Sequence, residues 1–313
     1  MTVPLGRDGL TVSRQGLGCM GMGHSYGRAD DRESVATIRR AVELGVTLLD
    51  TADLYGSSTG DPGSNETLVG QAIHHIRDQV VLATKVGFVY ADGERRLCGR
   101  PEYVRAACDA SLRRLGTDRI DLYHLHRVDP AVPVEDSVGA LAELVAAGKV
   151  LHIGLSMVDA DQLRAAHAVH PVSAVQSEYS LWRRDIEHSV LPAARALGVG
   201  LVPYSPLGRG FLAGAVAAGD DVGRFRSTLP RFGPAALAAN AHIADTVRDV
   251  AEELGATAAQ VALAWVHSRG ADVVPIPGTR HRRHLTANVG ALDLTLSPAQ
   301  LDRLDRLHRT VTE

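Results

Sequence analysis

Lysine is almost missing from this chain. Of its 313 residues 33 are basic, yet only Lys85 and Lys149 are lysines and the other 31 are arginines. Where arginine serves nearly everywhere, a lysine in an awkward place is there for its own chemistry: it is compact, flexible and able to shift its pKa, whereas a guanidinium stays planar and charged. Lys149 stands in a helix-to-strand turn, AAGKVLH, and reads as solvated surface. Lys85 stands inside VVLATKVGF, an apolar strand, where a charge is out of place. Cysteine is scarce as well. Cys19, Cys98 and Cys108 are an odd set without CxxC spacing, which argues against a disulfide framework or a structural zinc site. No run of about 18 apolar residues offers a membrane span. The net charge is only −3 and no basic block stands out, which argues against nucleic acid as the main partner. The start, MTVPLGRDGLTVSRQG, has no apolar core behind basic residues, so a cytoplasmic protein is expected.

What is present is a regular alternation. Short apolar runs at 16–19, 46–50, 80–85, 120–126, 151–155, 173–176, 200–203 and 273–276 are too short for most helices, and several are rich in β-branched residues, as buried parallel strands are. Between them lie amphipathic stretches; in 34–44, Val35, Ile38, Ala41, Val42 and Leu44 fall on one face. Capping signatures mark the boundaries: Asp30 with Glu33, Thr257 with Gln260, and Ser297 with Gln300 behind Pro298. Gly45, Gly116, Gly148, Gly198 and Gly255 are placed as left-handed helix stops. Eight strands alternating with helices, with no linker or change of composition, predict one (β/α)8 TIM barrel spanning 1–313. The first thirteen residues read as an added hairpin, with extra helices at 235–254 and 257–268 and a C-terminal helix from Pro298. The irregular stretch 207–234 reads as a mobile functional loop. An open doubly wound sheet competes, but it needs a topological break that the chain does not display.

Gly16, Gly18 and Gly21 match the dinucleotide pattern GxGxxG, which works only where a helix opens at the third glycine. Here the chain continues Met-Gly before the next cap at Asp30, and no acidic residue follows at the required offset, so the match is rejected. In a barrel, chemistry belongs where strands end. The second strand ends VTLLDTADLYG, the third ends at Lys85 and the fourth, DLYHLHRVDP, at His126. Asp50, Tyr55, Lys85 and His126 therefore converge on one rim. A buried lysine needs a counter-charge, which Asp50 can supply. An ammonium beside a phenol lowers the phenol pKa, which would make Tyr55 a proton donor to a developing alkoxide, with His126 orienting the same oxygen. His124, deeper on the same strand, reads as interior packing.

DTADLYG, VLATKVG, DLYHLHRVDP, HIGLS, VPYSPLGRGFL and PIPGTR stand in the order and at about the spacing of the aldo-keto reductase superfamily, which the chain resembles from about residue 3 to about residue 310. GLGCMGM, YSLWRRDIE and LPRF are most similar to the bacterial and plant branch that reduces aldehydes and some ketones with NADPH. The resemblance implies that Asp50, Tyr55, Lys85 and His126 are the catalytic tetrad, with Tyr55 the general acid. It implies that Tyr204 stacks on the nicotinamide and that Ser156 and Gln176 bond its carboxamide. Ser205, Leu207, Gly208 and Arg209 would wrap the pyrophosphate, Gly278, Thr279 and Arg280 would hold the adenosine phosphate, and His284 and Asn288 would border the adenine. Met157 and His284 depart from the usual pattern: Asn, Arg or Glu is common at the first position, Arg or Gln at the second.

Two other functions fit parts of the chain. His124 and His126 form an HxH on a barrel strand, a spacing that metal-dependent hydrolases use. Relatives of the fold also act as non-enzymatic regulatory subunits. For the reductase reading, aromatics at His24, Tyr26, Phe88, Tyr90, Trp182 and Phe225 on rim loops, in a chain only 4% aromatic, suggest a small carbonyl substrate that is apolar or aryl-bearing.

Overall fold

The computed structural model describes residues 2–23, 25–27, 29–56, 61–91 and 94–307. Seven strands form the wall: β1 (Leu17–Gly18), β2 (Leu48–Asp50), β3 (Val81–Val86), β4 (Ile120–Leu125), β5 (Val150–Ser156), β6 (Ala174–Glu178) and β7 (Gly200–Tyr204). They lie in chain order, all parallel. The segment expected as an eighth strand, 273–276, closes the barrel without a ladder of its own. Val274 and Ile276 donate to Leu201 and Pro203 of β7 at 2.9 and 3.0 Å, and on the other side the amides of Gly16 and Gly18 reach Pro275 and Pro277 at 2.9 and 3.4 Å. Pro275 and Pro277 have no N–H to return, so the seam toward β1 is bonded in one direction only. The barrel is closed, and proline explains why its last strand is irregular.

Among the described residues ten helices of eight or more residues follow or cover the strands: α1 (Asp31–Glu43), α2 (Ser64–Ile73), α3 (Pro101–Leu115), α4 (Val134–Ala146), α5 (Ala160–Val169), α6 (Val190–Leu197), α7 (Pro234–Leu254), α8 (Ala258–His267), α9 (Arg282–Val289) and α10 (Pro298–Asp305). Full capping boxes start α8 and α10 as expected. At α1 only half the expected box forms: Asp30 accepts from Arg32 and Glu33, while the Glu33 carboxylate turns instead to Arg282 of α9 at 3.0 Å. An ion pair to another element wins over the local bond. The stretch 207–234 is not structureless either; it folds into tight turns at Gly208–Ala213 and Pro230–Phe232 with a short helix Gly223–Ser227 between them.

The core is layered as strand alternation requires. Outward residues such as Leu49, Leu82, Tyr123, Leu125 and Ile153 pack under the helices, and inward residues Leu48, Ala83, Leu122, Ala174 and Val202 fill the barrel. The hairpin Thr2–Pro4 with Thr11–Ser13 plugs the floor, burying Leu5 and Val12 completely against that inner layer. With the floor filled, the open end is the rim where strands finish. Helix contacts are close in places. A Cβ at Gly70 of α2 would stand 2.4 Å from the Leu115 carbonyl oxygen at the end of α3. Backbone cannot step aside cheaply, so Gly70→Ala is expected to lower stability by about 1–3 kcal/mol. A thermal melt checks this; an unchanged midpoint would mean that the two helices separate freely.

Candidate active site

Alternation aims Asp50 of β2, Lys85 and His124 at the barrel axis, and His126 follows β4 on the same face. Lys85 is completely buried and Asp50 is 4% exposed. The Lys85 ammonium donates to Asp50 Oδ1 at 2.6 Å and to the Thr51 carbonyl at 2.8 Å. The second Asp50 oxygen accepts from Gln176 Nε2 at 2.8 Å, which ties β2, β3 and β6 together across the barrel. The ammonium lies 5.1 Å from the centre of the Tyr55 ring. His126 meets that ring edge-on at 5.8 Å. Tyr55 is held from behind: its carbonyl accepts from Asn65 at the start of α2 (3.1 Å), and Asn65 in turn accepts from Thr51 Oγ1 at 2.7 Å and donates to the Cys19 carbonyl at 3.2 Å. Outside the barrel, the fully buried Glu66 of α2 accepts from Thr84 Oγ1 at 2.6 Å and from Arg114 of α3 at 2.7 Å, anchoring the strand immediately before Lys85.

Electrostatics set the protonation states. Burial works against a charge on Lys85, but Asp50 and Tyr55 outweigh it and hold the ammonium above the ordinary lysine range. Burial raises the Tyr55 pKa; Lys85 pulls it down, Asp50 pushes it up, and the sum lies above the ordinary phenol. The lowering expected from lysine alone is therefore overturned by desolvation, and Tyr55 is a fully protonated phenol at neutral pH. Burial, then the Lys85 charge, drive His126 well below the ordinary imidazole value, so it is neutral. His124 falls to about 3 for the same two reasons, and neither of its ring nitrogens has a partner among the described residues. It is seated over Gly154, where a Cβ would come within 2.3 Å of the ring.

The other expected site residues sit on the same rim. Ser156 ends β5, whereas Gln176, expected at the end of the sixth strand, is the middle residue of β6, which runs on to Glu178; both are buried and paired in register. Tyr204 ends β7, and its hydroxyl donates to the sulfur of Met157 at 3.3 Å. Met157, Ser205 and Arg209 are the three described non-glycine residues with positive φ (55°, 49° and 56°). Such strain collects at functional sites. Leu207 and Gly208 complete the turn out of β7, where Gly208 also has positive φ, 56°. Arg209 reaches Tyr26 at 3.4 Å and the Glu178 carboxylate at 3.8 Å, and its Nε is buried without a partner. After the closing segment come Gly278, the buried Thr279, which caps the His281 amide at 3.1 Å, and Arg280, which donates to the Gly27 carbonyl at 2.9 Å. His284 is exposed on α9, edge-on to His281, and Asn288 is buried on the same helix. The strip 25–27 thus touches both arginines.

The aromatic group divides. His24 lies outside the described residues. Phe88 meets the His126 ring edge-on at 5.2 Å. Tyr26 and Phe225 pair at 5.4 Å beside Arg209 and Arg226, and Tyr90 is largely exposed. Trp182 is only 3% exposed, stacked among Phe211, Phe232 and Arg231, so it is core beneath the long loop and not a pocket wall. The sequence reading missed Arg127, which donates to the His126 carbonyl at 2.5 Å and to Ser156 Oγ at 3.1 Å, and Glu178, clasped by Arg231 and Arg209. Their one signal was adjacency to a strand end. Among the described residues no group of three or more His, Cys, Asp or Glu side chains converges in a way that could hold a metal ion. No described helix is long and apolar enough to cross a membrane.

Comparison with known proteins agrees with this architecture. The profile of the Aldo/keto reductase family matches residues 15–309. The chain is 27% identical to the glycerol dehydrogenase AKR11B4 of Gluconobacter oxydans, with a TM-score of 0.88 over 99% of this chain and 96% of that one. It is 30% identical to the thermostable aldo-keto reductase Tm1743, solved with the inhibitor epalrestat, at a TM-score of 0.78 over 98% and 99% of the two chains. It is also 30% identical to an aldo/keto reductase of Klebsiella pneumoniae, solved with NADP and acetate, at a TM-score of 0.73 over 98% and 95%. The chain belongs to the aldo/keto reductase family, oxidoreductases of the (β/α)8 fold whose cofactor is NADP(H).

Proposed function

We propose that this protein reduces aldehydes or ketones to alcohols with NADPH, and that Tyr55 is the general acid. The observation that carries this reading is the buried Lys85–Asp50 pair, with the Lys85 ammonium against the face of the Tyr55 ring. A buried ion pair is expensive to build and is weak support for stability, so its place against a phenol on an open rim calls for a chemical role. Tyr55, protonated and desolvated, releases its proton to the oxygen that becomes the alcohol. Lys85 lies against it and stabilises the phenolate left behind, while Asp50 keeps Lys85 charged and pointed. His126, neutral, orients the carbonyl oxygen.

The residues fit NADPH. Arg209 has a buried unpartnered Nε–H, a donor left for an anionic group. Arg209 with Ser205, Leu207 and Gly208 would hold the pyrophosphate, and Arg280 with Gly278 and Thr279 the adenosine phosphate. His284 and Asn288 would border the adenine, and Ser156, Gln176 and Tyr204 the nicotinamide. NADPH supplies the hydride when bound. Arg280 has no carboxylate partner among the described residues, which leaves its charge for a phosphate. Arg280→Ala is therefore expected to weaken NADPH binding much more than NADH binding in a fluorescence titration; equal losses would remove Arg280 from recognition of the phosphate.

The test of the proposal is turnover: purified protein, a panel of aldehydes and the loss of NADPH absorbance. Failure to turn over any of them would favour a regulatory NADPH-binding subunit. The hydrolase alternative finds no support in the geometry, since His124 is sealed inside the barrel and no third ligand approaches it among the described residues.

A further inference from the structure

Two guanidinium groups at the mouth of the site have no carboxylate partner among the described residues. Elsewhere the chain's arginines commonly hold carboxylates, as in Arg77 with Asp121, Arg105 with Glu143 and Arg195 with Asp272. Arg127 and Arg95 do not, among the described residues. Arg127 follows His126 and is half-buried, fixed by the His126 carbonyl at 2.5 Å and Ser156 Oγ at 3.1 Å. Arg95 lies on the hairpin Phe88–Ala91 with Glu94–Leu97 that projects from the end of β3. Its guanidinium covers the Phe88 ring at 5.0 Å, and the far edge of that contact is His126, 5.2 Å from Phe88.

Of the nearby acids, Asp50 is bound to Lys85 and Gln176, and Glu178 is clasped by Arg231 and Arg209 on the β6–β7 side. Asp53 has a buried Oδ1 without a partner, but burial raises its pKa well above the ordinary carboxylate value, and it pairs with neither arginine. Arg95 and Arg127 stand on the β3–β4 side, across the barrel from the residues assigned above to the cofactor phosphates. Neither charge is therefore taken up by the cofactor phosphates: Arg95 lies over Phe88, and Arg127 keeps donors beyond those given to His126 and Ser156. Both guanidinium charges also reach His126, adding to burial and to Lys85 in keeping that ring neutral. A cleft lined by one sign of charge and walled by low-dielectric rings concentrates ligands of the opposite sign. A guanidinium held in place by other bonds presents its remaining donors at little entropic cost, and carboxylate or phosphate oxygens match its fork.

Resting on the reductase reading above, we propose that the carbonyl substrate carries an anionic group, a carboxylate or a phosphate ester, which Arg95 and Arg127 receive while the carbonyl lies against Tyr55 and His126. The apolar or aryl substrate suggested by the sequence then describes only the part that lies over Phe88.

The test compares substrates matched except for charge. Para-carboxybenzaldehyde is set against its methyl ester, and the phosphate ester of glyceraldehyde against glyceraldehyde. For at least one pair, kcat/KM for the anion is expected to exceed that for the neutral partner by about tenfold or more, the scale of one charge-assisted hydrogen bond. The pair with the larger ratio tells carboxylate from phosphate. Arg95→Glu and Arg127→Gln should each collapse the ratio, which is internal to one enzyme preparation and so insensitive to partial loss of folded protein. Ratios near one in both pairs, or a ratio that survives both substitutions, would overturn the proposal. Calorimetry of terephthalate binding gives an answer independent of turnover. Binding by the parent protein that Arg95→Glu weakens about tenfold supports anion recognition even if no aldehyde is reduced. No binding by a parent that does reduce neutral aldehydes would count against Arg95 and Arg127 alone.

Discussion

Tyr55→Phe is expected to lower the rate of carbonyl reduction by roughly 10² to 10⁴-fold, the range for loss of a positioned general acid. The substitution removes one oxygen from a ring whose surroundings are otherwise kept: Asn65 holds the backbone of residue 55, and His126 meets the ring edge. NADPH affinity should change little, because the groups assigned to the cofactor lie on or after β5, β6, β7 and the closing segment. Steady-state rates with a fluorescence titration of NADPH check both halves. A variant that reduces aldehydes at the parental rate would move the proton donor elsewhere.

Lys85→Arg should be nearly as damaging, although it keeps the charge and although this chain uses arginine almost everywhere else. The Lys85 side chain is sealed, with its nitrogen 2.6 Å from Asp50 and 2.8 Å from the Thr51 carbonyl, so a planar guanidinium cannot enter without displacing Asp50 or Tyr55. The expected loss is on the order of 10²-fold or more in rate. Lys149→Arg is the control. Lys149 lies at the surface, 2.5 Å from Asp109, and a guanidinium can make the same bond, so neither rate nor melting should move. Rates and melts of the two variants together separate lost chemistry from lost folding. A well-folded, fully active Lys85→Arg enzyme would remove the lysine from the mechanism.

The barrel was legible because its signals are local: short apolar strands, alternating helices and glycine stops leave one closed arrangement. What escaped depends on contacts between distant segments. Glu33 abandons its cap for Arg282, and Pro275 and Pro277 thin the last seam, a consequence visible only once β1 is placed beside them. The convergence of Asp50, Tyr55, Lys85 and His126 was legible because three strand ends and one misplaced lysine mark it. The net direction of the Tyr55 pKa was not, since depth of burial is a property of the assembled rim. Trp182 and Phe88 both follow strands on rim loops; nothing local says that one turns into the core and the other toward His126. Arg127 was hidden by composition: as one of 31 arginines it carried no signal until its missing carboxylate could be seen.

The most direct test of the central claim is isotopic. The protein is incubated with an aldehyde and NADPH carrying deuterium at the transferring position, and the alcohol is analysed by mass spectrometry. Direct reduction at this site predicts an alcohol containing one deuterium bound to carbon, formed by the parent enzyme and all but absent with Tyr55→Phe. No labelled alcohol from the parent, or equal amounts from both proteins, would contradict the assignment.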